Sequence, residues 1–356
     1  MVFFISPKRR LLFAPLLALS LGLASCGGSP TTESSGTEGK SVSLTGAGAS
    51  FPAPLYQTWF SEYNKQNPNI KVTYQSIGSG AGVEQFTQQT VDFGASDVAM
   101  KDEEIAKVDR GTVLLPMTAG SVVLAYNLPG VESLNLSRQA YVDILLGKVT
   151  KWNDPAIAAN NPGVDLPDSD ISVVYRSDGS GTTGVFTKHL SAISPEWKEA
   201  VGEGKTVEWP TGSGAKGNEG VTAQILQTEG SIGYIEFGYA KQQGIPTASL
   251  ENKAGKYVAP SSESASTTLS AVTLPENLRA FITDPEGEDS YPIVTYTWIL
   301  AYQTYDDADK LDAFKEVVNW SLTDGQALSE ELGYIPLPEN VVGKVQTALD
   351  TIQVAE

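Results

Sequence analysis

Histidine and cysteine are almost absent from the sequence. His189 and Cys26 are the only examples in 356 residues. A lone cysteine cannot form a disulfide within the chain, and a lone histidine provides no histidine cluster for a metal ion. Basic residues are also few: 24 lysines and arginines stand against 42 aspartates and glutamates, a formal charge of −18. This balance argues against nucleic acids and anionic membrane surfaces as partners, because both attract basic proteins.

The sequence also lacks an apolar run of transmembrane length. Its N-terminal apolar stretch, Leu11–Leu23, is shorter than the roughly 20 residues that span a bilayer, and it follows the basic segment Lys8–Arg10. The letters LAS then precede Cys26. This order predicts an export signal over residues 1–25 that is cleaved before Cys26, whose thiol then carries a lipid. A plain signal peptide with an incidental cysteine is the alternative.

Residues 26–41 are rich in glycine, serine and threonine and show no apolar periodicity. They predict a flexible tether between the lipid and the folded body. Removal of residues 1–25 leaves 21 bases against 42 acids, a formal charge of −21. We therefore expect an exported protein that contacts the membrane only through its lipid anchor and faces the periplasm or the cell exterior.

From Ser41 onward, strand-like and helix-like segments alternate, which predicts an α/β architecture, and the length favours two domains. The predicted strands are SVSLTG, IKVTYQSI, VDFGAS, TVLLPMTAGSVVLAYN, DISVVYR, SIGYIEF and VTYTWILAY. The predicted helices are PAPLYQTWFSEYNKQN, GVEQFTQQ, SRQAYVDILLGK, DADKLDAFKEVVNWSL and NVVGKVQTALDTI. Ser137 is the expected N-cap of the third of these helices. Residues 251–270 are polar and are interpreted as mostly loop.

Three glycine-rich segments each lie between a strand-like run and a helix-like run. They are TGAGASFP (45–52), IGSGAGV (77–83) and RSDGSGTTG (176–184). Glycine permits turns that direct successive N–H groups inward, and the following helix start adds a positive dipole. The hydroxyl residues at the loop tips are Ser50, Ser79, Ser180 and Thr182. The segments predict that several helix N-termini converge on one small anion.

Two charged residues belong to the third segment, and one follows a strand. Arg176 can donate paired hydrogen bonds to an anion, and Asp178 can hold its guanidinium in place; a surface ion pair is the alternative. Asp97 lies at the end of VDFGASD. A purely structural interpretation makes it the N-cap of the DEEIAKV segment.

The same glycines permit two enzymatic interpretations. Gly179, Gly181 and Gly184 match the dinucleotide-binding pattern G-x-G-x-x-G, but the second strand and the acidic residue that this motif requires do not follow. No Gly-Lys-Ser/Thr sequence provides a nucleoside-triphosphate loop. A hydrolase that uses Ser180 would need a base, and His189 is interpreted as a surface or boundary residue.

Together the segments resemble the periplasmic phosphate-binding proteins of bacterial phosphate ABC importers. The resemblance runs from Leu44 to the C-terminal helices, in the family's order and spacing, and rests on TGAGASFPAPLY, YQSIGSGAGV, TVDFGASD, GKVTKWNDPAI, RSDGSGT, GAKGNEG and IGYIEFGYAKQQ. It implies a type II periplasmic solute-binding fold, in which a two-stranded hinge joins two α/β lobes and the ligand cleft lies between them. The implied boundaries are 42–118 plus 293–356 for lobe 1, 123–287 for lobe 2, and 119–122 plus 288–292 for the hinge.

The resemblance also implies high-specificity binding of inorganic phosphate and delivery to the permease subunits of an ABC importer. It implies a monomer with no enzymatic activity, no metal and no other cofactor. A scavenging or sensing paralogue is the alternative, and a nucleotide-binding enzyme is a more distant one. The implied phosphate-binding residues are Ser50, Phe51, Ser79, Asp97, Arg176, Ser180, Gly181 and Thr182, with Asp178 orienting Arg176. The sequence departs from the family's common pattern in having serine rather than threonine at Ser50, and Gly80-Ala81-Gly82 where Ser-Gly-Gly is frequent.

Overall fold

The computed structural model describes residues 40–356 of the chain. The predicted signal peptide, Cys26 and residues 26–39 of the predicted tether lie outside these described residues. Within residues 40–356, no helix combines the length and the apolarity needed to cross a bilayer.

Strands and helices alternate along the described chain, so the α/β prediction is confirmed. The strands are β1 (Val42–Gly48), β2 (Ile70–Ser76), β3 (Phe93–Ser96), β4 (Thr112–Asn127), β5 (Asn135–Leu136), β6 (Ser172–Arg176), β7 (Ser213–Ala215), β8 (Ser231–Glu236), β9 (Ser249–Glu251), β10 (Tyr257–Val258), β11 (Val294–Tyr302), β12 (Thr304–Tyr305) and β13 (Gln353–Val354). The helices are α1 (Ala53–Gln66), α2 (Ser79–Thr87), α3 (Asp102–Ile105), α4 (Arg138–Leu145), α5 (Pro155–Ala158), α6 (Gly181–Ile193), α7 (Pro195–Ala200), α8 (Gly217–Gln227), α9 (Phe237–Gln243), α10 (Ser262–Ser270), α11 (Ala308–Leu322) and α12 (Glu339–Asp350). A short 3-10 helix, Asp324–Leu328, precedes α12.

An eight-stranded sheet forms the frame, in the order β2-β1-β3-β11-β4-β8-β6-β7. β4 belongs to both halves of it: residues 112–121 pair with β11, and residues 122–127 pair with β8, both antiparallel. β1 runs parallel to β2 and β3, and β6 runs parallel to β7 and β8. The loops that follow these parallel strands therefore gather at the carboxyl edge of each half, where α/β sheets place their ligands.

The two longest strands are apolar and buried. β11 is buried along its whole length, and β4 is buried except at its two terminal residues, as expected of strands covered on both faces. The predicted apolar stripe of α1 is also buried: Leu55, Trp59, Phe60 and Tyr63. Ser137 caps α4 as predicted, because its hydroxyl accepts the Ala140 N–H at 3.2 Å.

The interpretation of residues 251–270 as mostly loop is wrong. This stretch contains β10 and the helix α10. Ser261 caps α10 by accepting the Ser264 N–H at 3.0 Å, and Ser264 Oγ accepts the Ser261 N–H in return at 3.1 Å. The helix buries Ala265 and Leu269. A reciprocal serine cap and a narrow buried face thus form a helix from a composition that is typical of loops.

Candidate functional site

The three glycine-rich segments lie against one another. The Gly80 N–H donates to the Gly179 carbonyl at 2.8 Å. Ser79 Oγ lies 3.4 Å and Thr182 Oγ1 lies 3.5 Å from the same atom, Asp97 Oδ2. Two of the four predicted hydroxyl residues, Ser79 and Thr182, therefore lie beside one buried carboxylate.

Three of the four hydroxyl residues, Ser79, Ser180 and Thr182, lie at the start of a helix. α2 begins at Ser79, earlier than predicted, and Ser180 caps α6 by accepting the Thr183 N–H at 3.0 Å. Gly181, the first residue of α6, allows the segments to approach closely. A Cβ atom there would lie 2.4 Å from Ser79 Oγ and 2.6 Å from Asp97 Oδ2, so a larger residue would push the segments apart.

Several backbone N–H groups in these segments have no acceptor among the described residues. They include those of Phe51, Gly181 and Thr182, and all three of these residues are buried. Unpaired buried N–H groups are rare in folded proteins. At the starts of helices they are available to an anion.

Arg176 is the buried cation of the cluster that the three glycine-rich segments form with Asp97. Its side chain is 1% exposed, and its Nε and Nη2 atoms donate to the two Asp178 oxygens at 2.8 and 2.6 Å. Burial opposes the charge, but the bonds to Asp178 outweigh it and raise the pKa of Arg176. Nη1 lies 3.4 Å from Thr182 Oγ1. The pair is therefore a buried ion pair rather than the surface ion pair considered as the alternative.

Asp97 is the buried anion of the cluster. The Thr297 hydroxyl donates to Asp97 Oδ1 at 2.9 Å. Burial raises the pKa of Asp97 to about 6, although the Thr297 bond and the charge of Arg176 partly offset this. The carboxylate therefore needs donors around it whenever it is ionised.

Asp97 does not cap the following helix, so that alternative is wrong. α3 begins at Asp102 and has Lys101 as its N-cap. Glu104 Oε2 accepts the Lys101 N–H at 2.9 Å. Because α3 starts several residues after β3 and satisfies its first turn locally, Asp97 remains free to face the cluster.

His189 is not at the surface, and that interpretation is wrong. It is 2% exposed, its Nε2 lies 2.8 Å from the Tyr141 hydroxyl, and burial lowers its pKa to about 4. The Ser180 hydroxyl makes its contact with Thr183 and not with this ring. A serine–histidine pair is therefore not formed within residues 40–356.

Two residues of the cluster carry no assigned role in the sequence prediction. Asn218, the second residue of α8, contacts both Ser50 and Thr182. Its segment GAKGNEG contains glycines, and Gly217 adopts a positive φ of 73° directly before Asn218, but β7 is too short for the sequence to mark the segment as a strand end. Thr297 lies in the uniformly buried β11, and nothing in the sequence distinguishes it from its neighbours.

Comparison with known proteins gives consistent results. Residues 30–324 match the family model of the PBP superfamily domain. The phosphate-binding protein PstS of Pasteurella multocida is 46% identical, over 86% of this chain and 90% of that protein. The phosphate-binding protein PstS of Methanocaldococcus jannaschii is 39% identical, over 92% of this chain and 93% of that protein.

Solved structures share the fold. A high-affinity periplasmic phosphate-binding protein, PfluDING, aligns with a TM-score of 0.70 at 20% identity. The alignment covers 86% of this chain and 93% of the PfluDING chain. The phosphate-binding protein of Stenotrophomonas maltophilia aligns with a TM-score of 0.68 at 20% identity and covers 86% of this chain and 94% of its own. The expected periplasmic solute-binding fold is therefore confirmed.

Proposed function

The chain belongs to the family of PstS phosphate-binding proteins, and on this premise we propose that it binds inorganic phosphate and delivers it to a phosphate ABC importer without chemical turnover. One observation carries the proposal: a buried cluster in which Arg176, the hydroxyls of Ser50, Ser79 and Thr182, and unpaired N–H groups all offer hydrogens. Such a set suits a compact oxyanion, whose oxygens accept several hydrogen bonds each.

Asp97 is the exception among these donors, and it gives the site its proposed selectivity. A carboxylate only accepts hydrogen bonds. Near neutral pH phosphate keeps at least one proton and can donate it to Asp97, whereas sulfate has none to donate. Facing sulfate, the buried Asp97 would receive no hydrogen from the ligand and would lie next to a like charge, and sites of this kind reject the wrong ligand strongly.

The proposed domain arrangement follows the sheet. Lobe 1 comprises residues 42–118 and 293–356, lobe 2 comprises residues 123–287, and segments 119–122 and 288–292 form the hinge between them. It is supported by β4, which passes from its partner β11 to its partner β8 between Ser121 and Val122. On this division Ser50, Phe51, Ser79 and Asp97 come from lobe 1 and the other four ligands come from lobe 2, so that closure encloses the anion.

We also propose export, a lipid on Cys26, a flexible tether over residues 26–41 and a monomer that docks on permease subunits. The order of basic, apolar and small residues before Cys26 supports the anchor. If it is correct, Cys26→Ala releases the protein from the membrane fraction with its phosphate affinity unchanged. Retention of this variant in membranes after a high-salt wash would contradict the anchor.

Calorimetry of the purified protein with phosphate, sulfate and nucleotides tests the function, after bound ligand has been removed by unfolding and refolding. We expect phosphate to bind at one site per chain, sulfate to bind much more weakly, and NAD and ATP to give no heat of binding. Binding of NAD or ATP without binding of phosphate would instead support a nucleotide enzyme.

A further inference from the structure

Asn218 uses every polar atom of its side chain between the two proposed lobes. Its Oδ1 accepts the Glu236 N–H at 2.9 Å, which fixes the orientation of the amide. Its Nδ2 donates to Ser50 Oγ at 2.9 Å and to Thr182 Oγ1 at 3.2 Å. The residue is fully buried, so none of these bonds is shared with bulk solvent.

The contacts of Asn218 decide what the Ser50 hydroxyl can do. Ser50 Oγ accepts a second hydrogen bond from the Asn218 backbone N–H at 3.0 Å. A hydroxyl has two acceptor positions and one donor hydrogen. Both acceptor positions are therefore occupied, and no acceptor for the Ser50 hydrogen lies within hydrogen-bond distance among residues 40–356. That hydrogen is therefore available for donation to a ligand.

Thr182 is oriented in the same way. Its Oγ1 is approached by Asn218 Nδ2 at 3.2 Å and by Arg176 Nη1 at 3.4 Å. These two donors occupy its acceptor positions, and its hydrogen is left to point toward Asp97 Oδ2 at the long distance of 3.5 Å or toward an anion placed beside it.

We propose that Asn218 is a positioning residue of the phosphate site, which turns the Ser50 and Thr182 hydroxyls into obligatory donors and joins the lobes once they close. The inference rests on the proposed phosphate binding. Through Asn218, the site presents hydrogen-bond donors to the deprotonated oxygens of phosphate. Only Asp97 presents an acceptor.

The substitution Asn218→Asp tests this most directly, because it keeps the shape and the acceptor for Glu236 but replaces the donor amine by an acceptor. The two hydroxyls would then donate to the new carboxylate and not to phosphate. We expect the Kd for phosphate near neutral pH to rise by on the order of 100-fold, since two bonds to a charged ligand are lost. The loss should shrink relative to wild type as the pH falls, because the introduced carboxyl regains a hydrogen when protonated.

Asn161→Asp is the matched control. Asn161 is also buried; its Oδ1 accepts the Asn135 N–H, and its Nδ2 donates to the carbonyls of Asn135 and Ile157. The control also introduces a buried carboxyl but lies outside the cluster. We expect it to lower the melting temperature and to leave the Kd unchanged.

A double-mutant cycle of Asn218→Ala and Ser50→Ala separates positioning from simple stability and remains usable if Asn218→Asp fails to fold. Without the Ser50 hydroxyl, Asn218 has one group fewer to orient, so the combined loss of phosphate affinity should be smaller than the product of the single losses. Independent losses, or an Asn218→Asp protein that binds phosphate within about 3-fold of wild type, would overturn the inference. Failure of the wild-type protein to bind phosphate would overturn the proposed function first.

Discussion

Arg176 is a buried cation whose guanidinium rests on both oxygens of Asp178. We expect Arg176→Ala to raise the phosphate Kd by roughly 30-fold or more, because truncating one partner of a buried charge pair costs about 2–5 kcal/mol. Arg176→Lys keeps the charge but cannot span both Asp178 oxygens, and should recover only part of the loss. Calorimetry measures both variants, and wild-type affinity in Arg176→Lys would show that the planar geometry is unimportant.

Asp97 makes stability depend on pH in a defined direction. Burial raises its folded-state pKa to about 6, above the unfolded value of about 4. The favourable contribution of Asp97 to the free energy of unfolding is therefore complete below about pH 4 and is lost as the pH rises through about 6. The loss is about 3 kcal/mol for a shift of this size.

The measurement compares ligand-free wild type with Asp97→Asn. The free energy of unfolding of wild type, measured relative to that of Asp97→Asn, should fall by about 3 kcal/mol between about pH 4 and about pH 7. Ser79, Arg176, Thr182 and Thr297 surround the group in both proteins, so their effects largely cancel. A difference that stays constant over this range would contradict the raised pKa.

Sequence patterns reach some residues of the cluster and not others. Ser79 and Ser180 are predictable because glycine turns between a strand and a helix expose hydroxyls and N–H groups at a known place. Asn218 and Thr297 are not, since their roles depend on contacts with residues that lie far away in the chain, Ser50 and Asp97. Only the tertiary fold creates these pairs.

At the scale of elements, the start of α6 and the body of α12 respond differently to the same change. Gly181→Ala places a methyl group 2.4 Å from Ser79 Oγ, so we expect the site to open and the phosphate Kd to rise by on the order of 100-fold. The matched control is Gly343→Ala in α12, where nothing lies within 4 Å of the added carbon. This control should raise the free energy of unfolding by about 0.5–1 kcal/mol and leave the Kd unchanged. Equal phosphate affinity in the two variants would contradict the tight contact.

The strands β4 and β11 are predictable because long apolar runs of β-prone residues strongly favour buried strands. α10 is not, since its sequence SESASTTLS has a composition that also suits a loop. Its helix depends on the Ser261–Ser264 cap and on burial of Ala265 and Leu269. Such local hydrogen bonds override composition without leaving an apolar pattern.

At the scale of the whole molecule, the acidic surface opposes the proposed ligand. The formal charge is −18, and the cavity of about 570 Å³ beside Asp97 is lined by lysines and glutamates in equal number: Lys101, Lys188, Lys205, Glu103, Glu104 and Glu203. Neither provides net attraction for an anion. We therefore expect added salt to leave the phosphate on-rate unchanged or to raise it slightly, because salt screens the repulsion. Stopped-flow measurement of a steep fall with salt would reveal an attractive channel instead.

The place of β11 in the sheet has a consequence for how the chain is assembled during export. β11, made of residues 294–302, lies between β3 and β4 and is the partner of residues 112–121. A chain that emerges with its N-terminus first must hold residues 42–121 without this partner until nearly all of the protein has been delivered. Residues 122–236 already contain β8, β6 and β7 and can pair among themselves earlier. The first segment to emerge is thus the last to be completed, and through this delay it stays exposed to chaperones and proteases.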